Sequence, residues 1–105
     1  MVKIYALRWT KQAKGDLRKI FTYILKTNSR ERAVYVIGGI KEEAAKITLF
    51  PAKHAKEPED IPGNIRFAVK WSYKILFTIE EEHVNIVRVF HTAQNPKKLK
   101  DLIYK

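Results

Sequence analysis

The chain has 105 residues, 46% of them hydrophobic, which suits one domain with a real core; it has no cysteine, which excludes a disulfide framework and a thiolate metal site. Lys and Arg number 21 against 11 Asp and Glu, and the net charge of +10 points to polyanionic or acidic partners rather than to any particular fold. No window approaches the roughly 18 apolar residues of a membrane span, and the opening MVKIYALRWTKQAKGD lacks an apolar run of signal-peptide length, so the expectation is a soluble cytoplasmic protein with no membrane partner.

Residues 2–9, VKIYALRW, alternate loosely and read as a short strand. Thr10 is placed to cap a helix in which Ala13, Leu17, Ile20, Phe21 and Ile24 recur at helical spacing, while Lys11, Lys14, Arg18 and Lys19 lie mostly off that stripe. TNSRE breaks the pattern, and Asn28 with Glu31 has capping-box spacing. The second helix carries Ala33, Ile37, Ile40, Ala44 and Ile47 on one stripe, and Pro51 ends it. Gly38 and Gly39 inside it signal either close packing against the first helix or a kink. So short a link implies an antiparallel helical hairpin. Residues 51–64, with three prolines and a glycine, form a loop long enough to suggest that it has a role.

The rest reads as three strands. IRFAVKW places Ile65, Phe67, Val69 and Trp71 on one face and Arg66, Ala68 and Lys70 on the other. YKILFTI groups Tyr73, Ile75, Phe77 and Ile79, with Lys74 opposite; EEEH is a polar turn; VNIVRVFH is apolar on both sides, as a central strand would be. Asn95 and Pro96 then end the strand and start a basic helix or tail, PKKLKDLIYK. The expected fold is a single α+β domain over residues 1–105, two layers, in the order β-α-α-β-β-β-α, with an antiparallel sheet packed on the N-terminal helical hairpin.

On this reading the aromatic residues Phe67, Trp71, Tyr73 and Phe77 belong to the helix-covered core. Arg66 and Lys70 share the other face. If Lys74 and His91 join them, the sheet carries a cationic shelf fit for phosphates, with one titratable group at its rim. The plain alternative is a solvated polar face. Cleavage of RNA by its 2′-hydroxyl requires a base, an acid and cations for the phosphoryl charge. His91 or His54 would supply the first two, Arg66 and Lys74 the third; the plain alternative for either histidine is a hydrogen-bonded structural residue. His54, His83 and His91 lack ligand spacing, and no nucleotide-binding or serine-hydrolase motif occurs, so neither metal nor cofactor is expected.

AKGDLRKIFTYI (residues 13–24) resembles the first helix of the RelE/ParE superfamily of toxins from type II toxin–antitoxin systems, commonly A-x-x-D-L-x-x-I-x-x-Y-I, and residues 65–96 resemble its three-strand meander and closing motif. The resemblance covers nearly the whole chain. It implies a RelE-like fold and a growth-inhibiting toxin of a plasmid-stabilisation type, neutralised by a cognate, acidic antitoxin, as a homodimer or a toxin–antitoxin hetero-oligomer. RelE-like members cut mRNA on the ribosome without a metal; ParE-like members poison DNA gyrase. The cleaving pattern is incomplete in this chain. Lys74 stands where Arg is common after the tyrosine, and Ala93 and Gln94 occupy places after His91 that often hold Arg. Arg66 matches a basic position of the second strand, and His54 lies in the loop where some histidine-using ribonucleases carry theirs. HTAQNPKKL is nearer the ParE branch. Gyrase inhibition is therefore the favoured expectation, with Arg66, Lys70, Lys74, His91 and Gln94 facing the target. The alternatives are a ribosome-dependent mRNA endonuclease and a non-toxic basic nucleic-acid-binding module.

Overall fold

A computed structural model describes residues 4–56 and 64–92. Strand β1 (Ala6–Trp9) leads into helix α1 (Lys11–Thr27), helix α2 (Arg30–Ile47) and a 3-10 turn at Pro51–Lys53, then strands β2 (Arg66–Lys70), β3 (Tyr73–Glu80) and β4 (His83–His91). The expected terminal helix from Pro96, the residue Gln94 and the middle of the 51–64 loop lie outside the described residues.

Thr10 caps α1 as expected: its Oγ1 accepts from the Ala13 amide at 3.1 Å. The cap of α2 is Ser29, whose Oγ accepts from the Arg32 amide at 3.0 Å, whereas Asn28 ends α1. The expected Asn28 cap is therefore one residue early, because the amide one turn on is reached by the Ser29 hydroxyl.

The helices pack on each other and on one face of the sheet. Ala13, Leu17 and Ile24 of α1, and Ala33, Val36, Ile40, Ala44 and Ile47 of α2, meet Ala68, Ile75, Phe77, Val84, Ile86 and Val89. Burial of these apolar side chains is the main favourable term. A second, smaller cluster on the other face holds Ile65 and Leu76 with Phe67, Val87 and Phe90.

The strand order is β1-β4-β3-β2. The last three strands form the expected antiparallel meander, with β4 central. The first strand departs from the expected antiparallel sheet: β1 lies parallel to β4, Ala6 opposite His83 through Trp9 opposite Ile86. Physically, α1 and α2 carry the chain back across the sheet before it re-enters, the kind of long connection a parallel pair requires.

Strand β1 stops at Trp9, yet β4 continues past Ile86 with a bulge that leaves Val87 unmatched, since Leu76 pairs with Arg88 and Phe77 with Ile86. Helix α1 supplies the missing partners. The Thr10 amide donates to the Ile86 carbonyl at 3.0 Å and its hydroxyl to the Val87 carbonyl at 3.1 Å. The Asp16 carboxylate accepts from the Val89 amide at 2.9 Å and from both Nε and Nη2 of Arg88 at 2.8 Å each. The ion pair is largely enclosed, with side-chain exposures of 15% for Arg88 and 9% for Asp16. Removing one partner of such a pair leaves a buried charge unpaired. Asp16→Ala is accordingly expected to lower the unfolding free energy by roughly 3–5 kcal/mol, read by urea titration; a loss under about 1 kcal/mol, the worth of an exposed pair, would show the clamp to be unimportant.

Candidate functional site

The β2–β3 turn decides which way the candidate cations face. Strand β2 pairs with β3 so that Arg66 lies opposite Phe77, Ala68 opposite Ile75 and Lys70 opposite Tyr73, whereas Val69 lies opposite Lys74. Residues directly opposite share a face. Arg66 and Lys70 therefore stand on the helix-covered face of an edge strand, and Lys74 stands on the other side. His91 lies opposite Tyr73 and Lys74 opposite Phe90, so Lys74 and His91 also point to different sides. The cationic shelf expected from alternation is not assembled. The same register corrects the expected core: Tyr73 and Phe77 are on the helix side, Phe67 joins the outer cluster, and Trp71 sits in the turn. Under the helices β2 contributes Ala68, because α2 lies close to this edge and leaves room for little more.

Each candidate residue has local company. The Arg66 Nη1 donates to the carbonyls of His54 at 2.7 Å and Ala52 at 3.2 Å. With the Phe67 amide donating to the Ala55 carbonyl at 3.0 Å, it fastens the start of the loop to the edge strand. Lys74 Nζ sits 4.1 Å from the centroid of Phe67, and Lys70 Nζ 4.7 Å from that of Trp71. The His54 ring meets Phe77 edge-on at 5.5 Å. Its pKa is lowered from the ordinary histidine value by burial first, then by Lys53 and Arg66, against an opposing pull from Glu43.

His91 meets Tyr73 edge-on at 5.4 Å. Both line a pocket of about 240 Å³ where the end of α1, the start of α2 and the β2–β3 turn converge. Thr27, Asn28, Arg32, Trp71 and Ser72 complete its polar wall, over Ile24 and Val36. Burial pushes the Tyr73 phenol pKa up, with Tyr23 adding to the rise and Arg32 opposing it. A guanidinium, an imidazole and several hydroxyls around so small a volume can take one anionic group, a carboxylate or a phosphate. Of the residues expected to carry cleavage, the pocket includes His91 and not Arg66, Lys74 or His54. Among the described residues no group of side chains could hold a metal ion, and no helix is long and apolar enough to cross a membrane.

Three neighbouring features escaped the sequence reading. Trp71 adopts φ 53° in the turn, a left-handed conformation that costs a bulky side chain about 1–2 kcal/mol. Gly39 is a notch for its indole, since a Cβ there would overlap the ring. The glycine thus does mark close packing, but against the hairpin turn and not against α1; a glycine within a helix costs about 1 kcal/mol relative to alanine. Tyr35 stacks on Trp71 at 5.4 Å, and Arg32 lies 5.6 Å over the Tyr35 ring. Two signals in the sequence mark the place: a mid-helix glycine pair, and a tryptophan where a tight hairpin favours glycine.

A separate groove of about 550 Å³ runs between β1, α1 and α2. Leu7, Trp9, Leu17, Phe21 and Ile37 line it, with Lys14, Arg18 and Lys41 also on its wall.

The model of the ParE toxin family of type II toxin–antitoxin systems matches residues 7–96, and the chain belongs to that family. Its fold is similar to that in the chromosomal ParDE toxin–antitoxin system of P. aeruginosa, at 22% identity and a TM-score of 0.73, covering 85% of this chain and 97% of the other. It is also similar to that in the RelBE2 toxin–antitoxin complex of Mycobacterium tuberculosis, at 24% identity and a TM-score of 0.67, covering 90% and 97%. A search of curated protein sequences finds no significant match.

Two outcomes are expected. His54 binds its proton less readily in the folded state than in the unfolded chain, so its contribution to stability is complete above pH 6.5 and is lost as pH falls below it. His54→Gln should flatten the stability-against-pH curve in that window; an unchanged slope would show that another group governs it. Gly39→Ala should expel the Trp71 indole from its notch, seen as red-shifted emission in a Trp9→Phe background; emission unchanged from that background would mean that the helix shifts instead.

Proposed function

We propose that this ParE-family toxin arrests growth by binding DNA gyrase, and that a cognate acidic antitoxin holds it in check. The observation that carries the first part is the dispersal of the groups that cleavage would need. Arg66 is occupied by two loop carbonyls, Lys74 faces the far side of the sheet, and His54 is turned against Phe77. Phosphoryl transfer gains its rate from positioned charge. A toxin whose candidate cleavage groups lie apart is better suited to gripping a target than to cutting one. For the second part, the groove between β1, α1 and α2 combines an apolar floor with three cations, which suits the acidic amphipathic segment of an antitoxin. The P. aeruginosa and M. tuberculosis neighbours come from toxin–antitoxin systems, which fits a hetero-oligomer with the antitoxin.

A ribosome-dependent endonuclease is the second reading. The pocket that gathers His91, Tyr73 and Arg32 favours it, because a titratable imidazole stands there beside a guanidinium able to meet a phosphate.

Purified toxin is expected to inhibit gyrase supercoiling of plasmid DNA; normal supercoiling at saturating toxin would overturn the gyrase reading. Codon-positioned cutting of message in a translation extract, abolished by His91→Ala, would replace it with the second. Harmless induction without the antitoxin would leave only a basic binding module.

A further inference from the structure

Three locally unfavourable choices meet at one spot. Trp71 takes a backbone conformation that favours glycine. Gly39 interrupts a helix to admit its ring. Arg32, with Arg30, puts two cations on the first turn of α2, where the helix dipole is already positive and Glu31 is the one acid to offset them. Folding alone selects against each of them, and such conflicts concentrate where a protein does its work. Nor does the cluster close over itself: Trp71 remains 47% exposed and Tyr35 60%. Among the described residues neither Arg32 nor Lys70 has a carboxylate partner.

We propose that the Tyr35–Trp71 ledge, with the Arg32 pocket beside it, is the surface by which the toxin grips its target protein, through a segment that lays an apolar side chain on the rings and places a carboxylate in the pocket. Aromatic rings and arginine at the rim of a small pocket are the composition of interface hot spots. A volume of about 240 Å³ is too small for a nucleotide and large enough for one acidic side chain. Trp71 already has Tyr35 stacked on it and the Lys70 ammonium over it, so no ring face is left for a flat nucleobase to stack on, whereas the exposed parts of both rings still offer contact to an aliphatic side chain; a protein segment therefore fits better than a single strand of nucleic acid. The ledge shares no lining residue with the groove between β1, α1 and α2, so target and antitoxin would hold different surfaces.

The inference rests on the toxin reading but not on gyrase in particular, and its test separates the two. Tyr35→Ala and Arg32→Glu change exposed helix positions. Both are expected to abolish growth arrest on induction and to raise the toxin concentration for half-inhibition of supercoiling at least tenfold. Their thermal midpoints should stay near the wild-type value, and co-expressed cognate antitoxin should still co-purify. Trp71→Gly, which relieves the backbone and removes the indole, should do the same. If wild-type toxin arrests growth without inhibiting supercoiling, and the variants lose arrest, the ledge stands and gyrase falls. Undiminished arrest by Tyr35→Ala and Arg32→Glu would overturn the ledge. So would loss of antitoxin co-purification with arrest retained, or a tenfold loss of affinity for a mixed-sequence single-stranded oligonucleotide with arrest retained.

Discussion

The carboxylate of Asp16 holds the two layers in register. It takes both arms of the Arg88 guanidinium and the Val89 amide, at the point where β1 has run out and β4 would otherwise present open backbone groups. A bare hydrophobic contact could slide along the sheet; a fork of three directional bonds from an enclosed carboxylate cannot. Thr10 adds to it by both capping α1 and bonding the bulged strand at Val87. One end of α1 is thereby set on the central strand. The position of α2 against the β2–β3 turn follows from it, because the two helices pack together and only Asn28 and Ser29 join them.

That geometry explains why the basic residues of β2 and β3 do not share one face. The turn at Trp71 and Ser72 pairs Lys70 with Tyr73, which sends Lys74 to the outer face and leaves Arg66 at the edge, close to the loop. Two more residues in the turn would keep the pairing parity, but one more or one fewer would reverse the facing of every residue in β2. Arg66 then becomes structural, as the tie for residues 52–56, and Lys74 caps the aromatic ring of Phe67. The edge strand is thus partly covered, which also limits its capacity to pair with other chains.

The two concavities to which the proposals above assign antitoxin and target differ in character. The groove between β1, α1 and α2 is larger and mostly apolar. The pocket at the other end of the helices is smaller and polar, and it is flanked by exposed rings. Both arise from the same helix pair, as one helix face cannot cover the whole width of four strands.

Much of the fold was legible in the chain itself. The apolar stripes of α1 and α2, the Thr10 cap, the meander and the central place of β4 all follow from period and turn chemistry, which are local properties. Asp16 was visible as part of a motif, but its partners lie more than seventy residues away, and no local rule supplies them. The parallel placement of β1, the facing of Arg66, Lys70 and Lys74, and the meeting of Arg32, Tyr35, Gly39 and Trp71 were decided by tertiary structure. Alternation gives two faces of β2 without saying which is covered. Apolar content suggested Ile65, Phe67 and Val69, yet the space under α2 at the sheet edge admits Ala68. The sequence by itself determined which elements form, since propensity and periodicity act over a few residues. Only the folded chain decided which side chains share a surface, since that depends on pairing register and on contacts between distant segments.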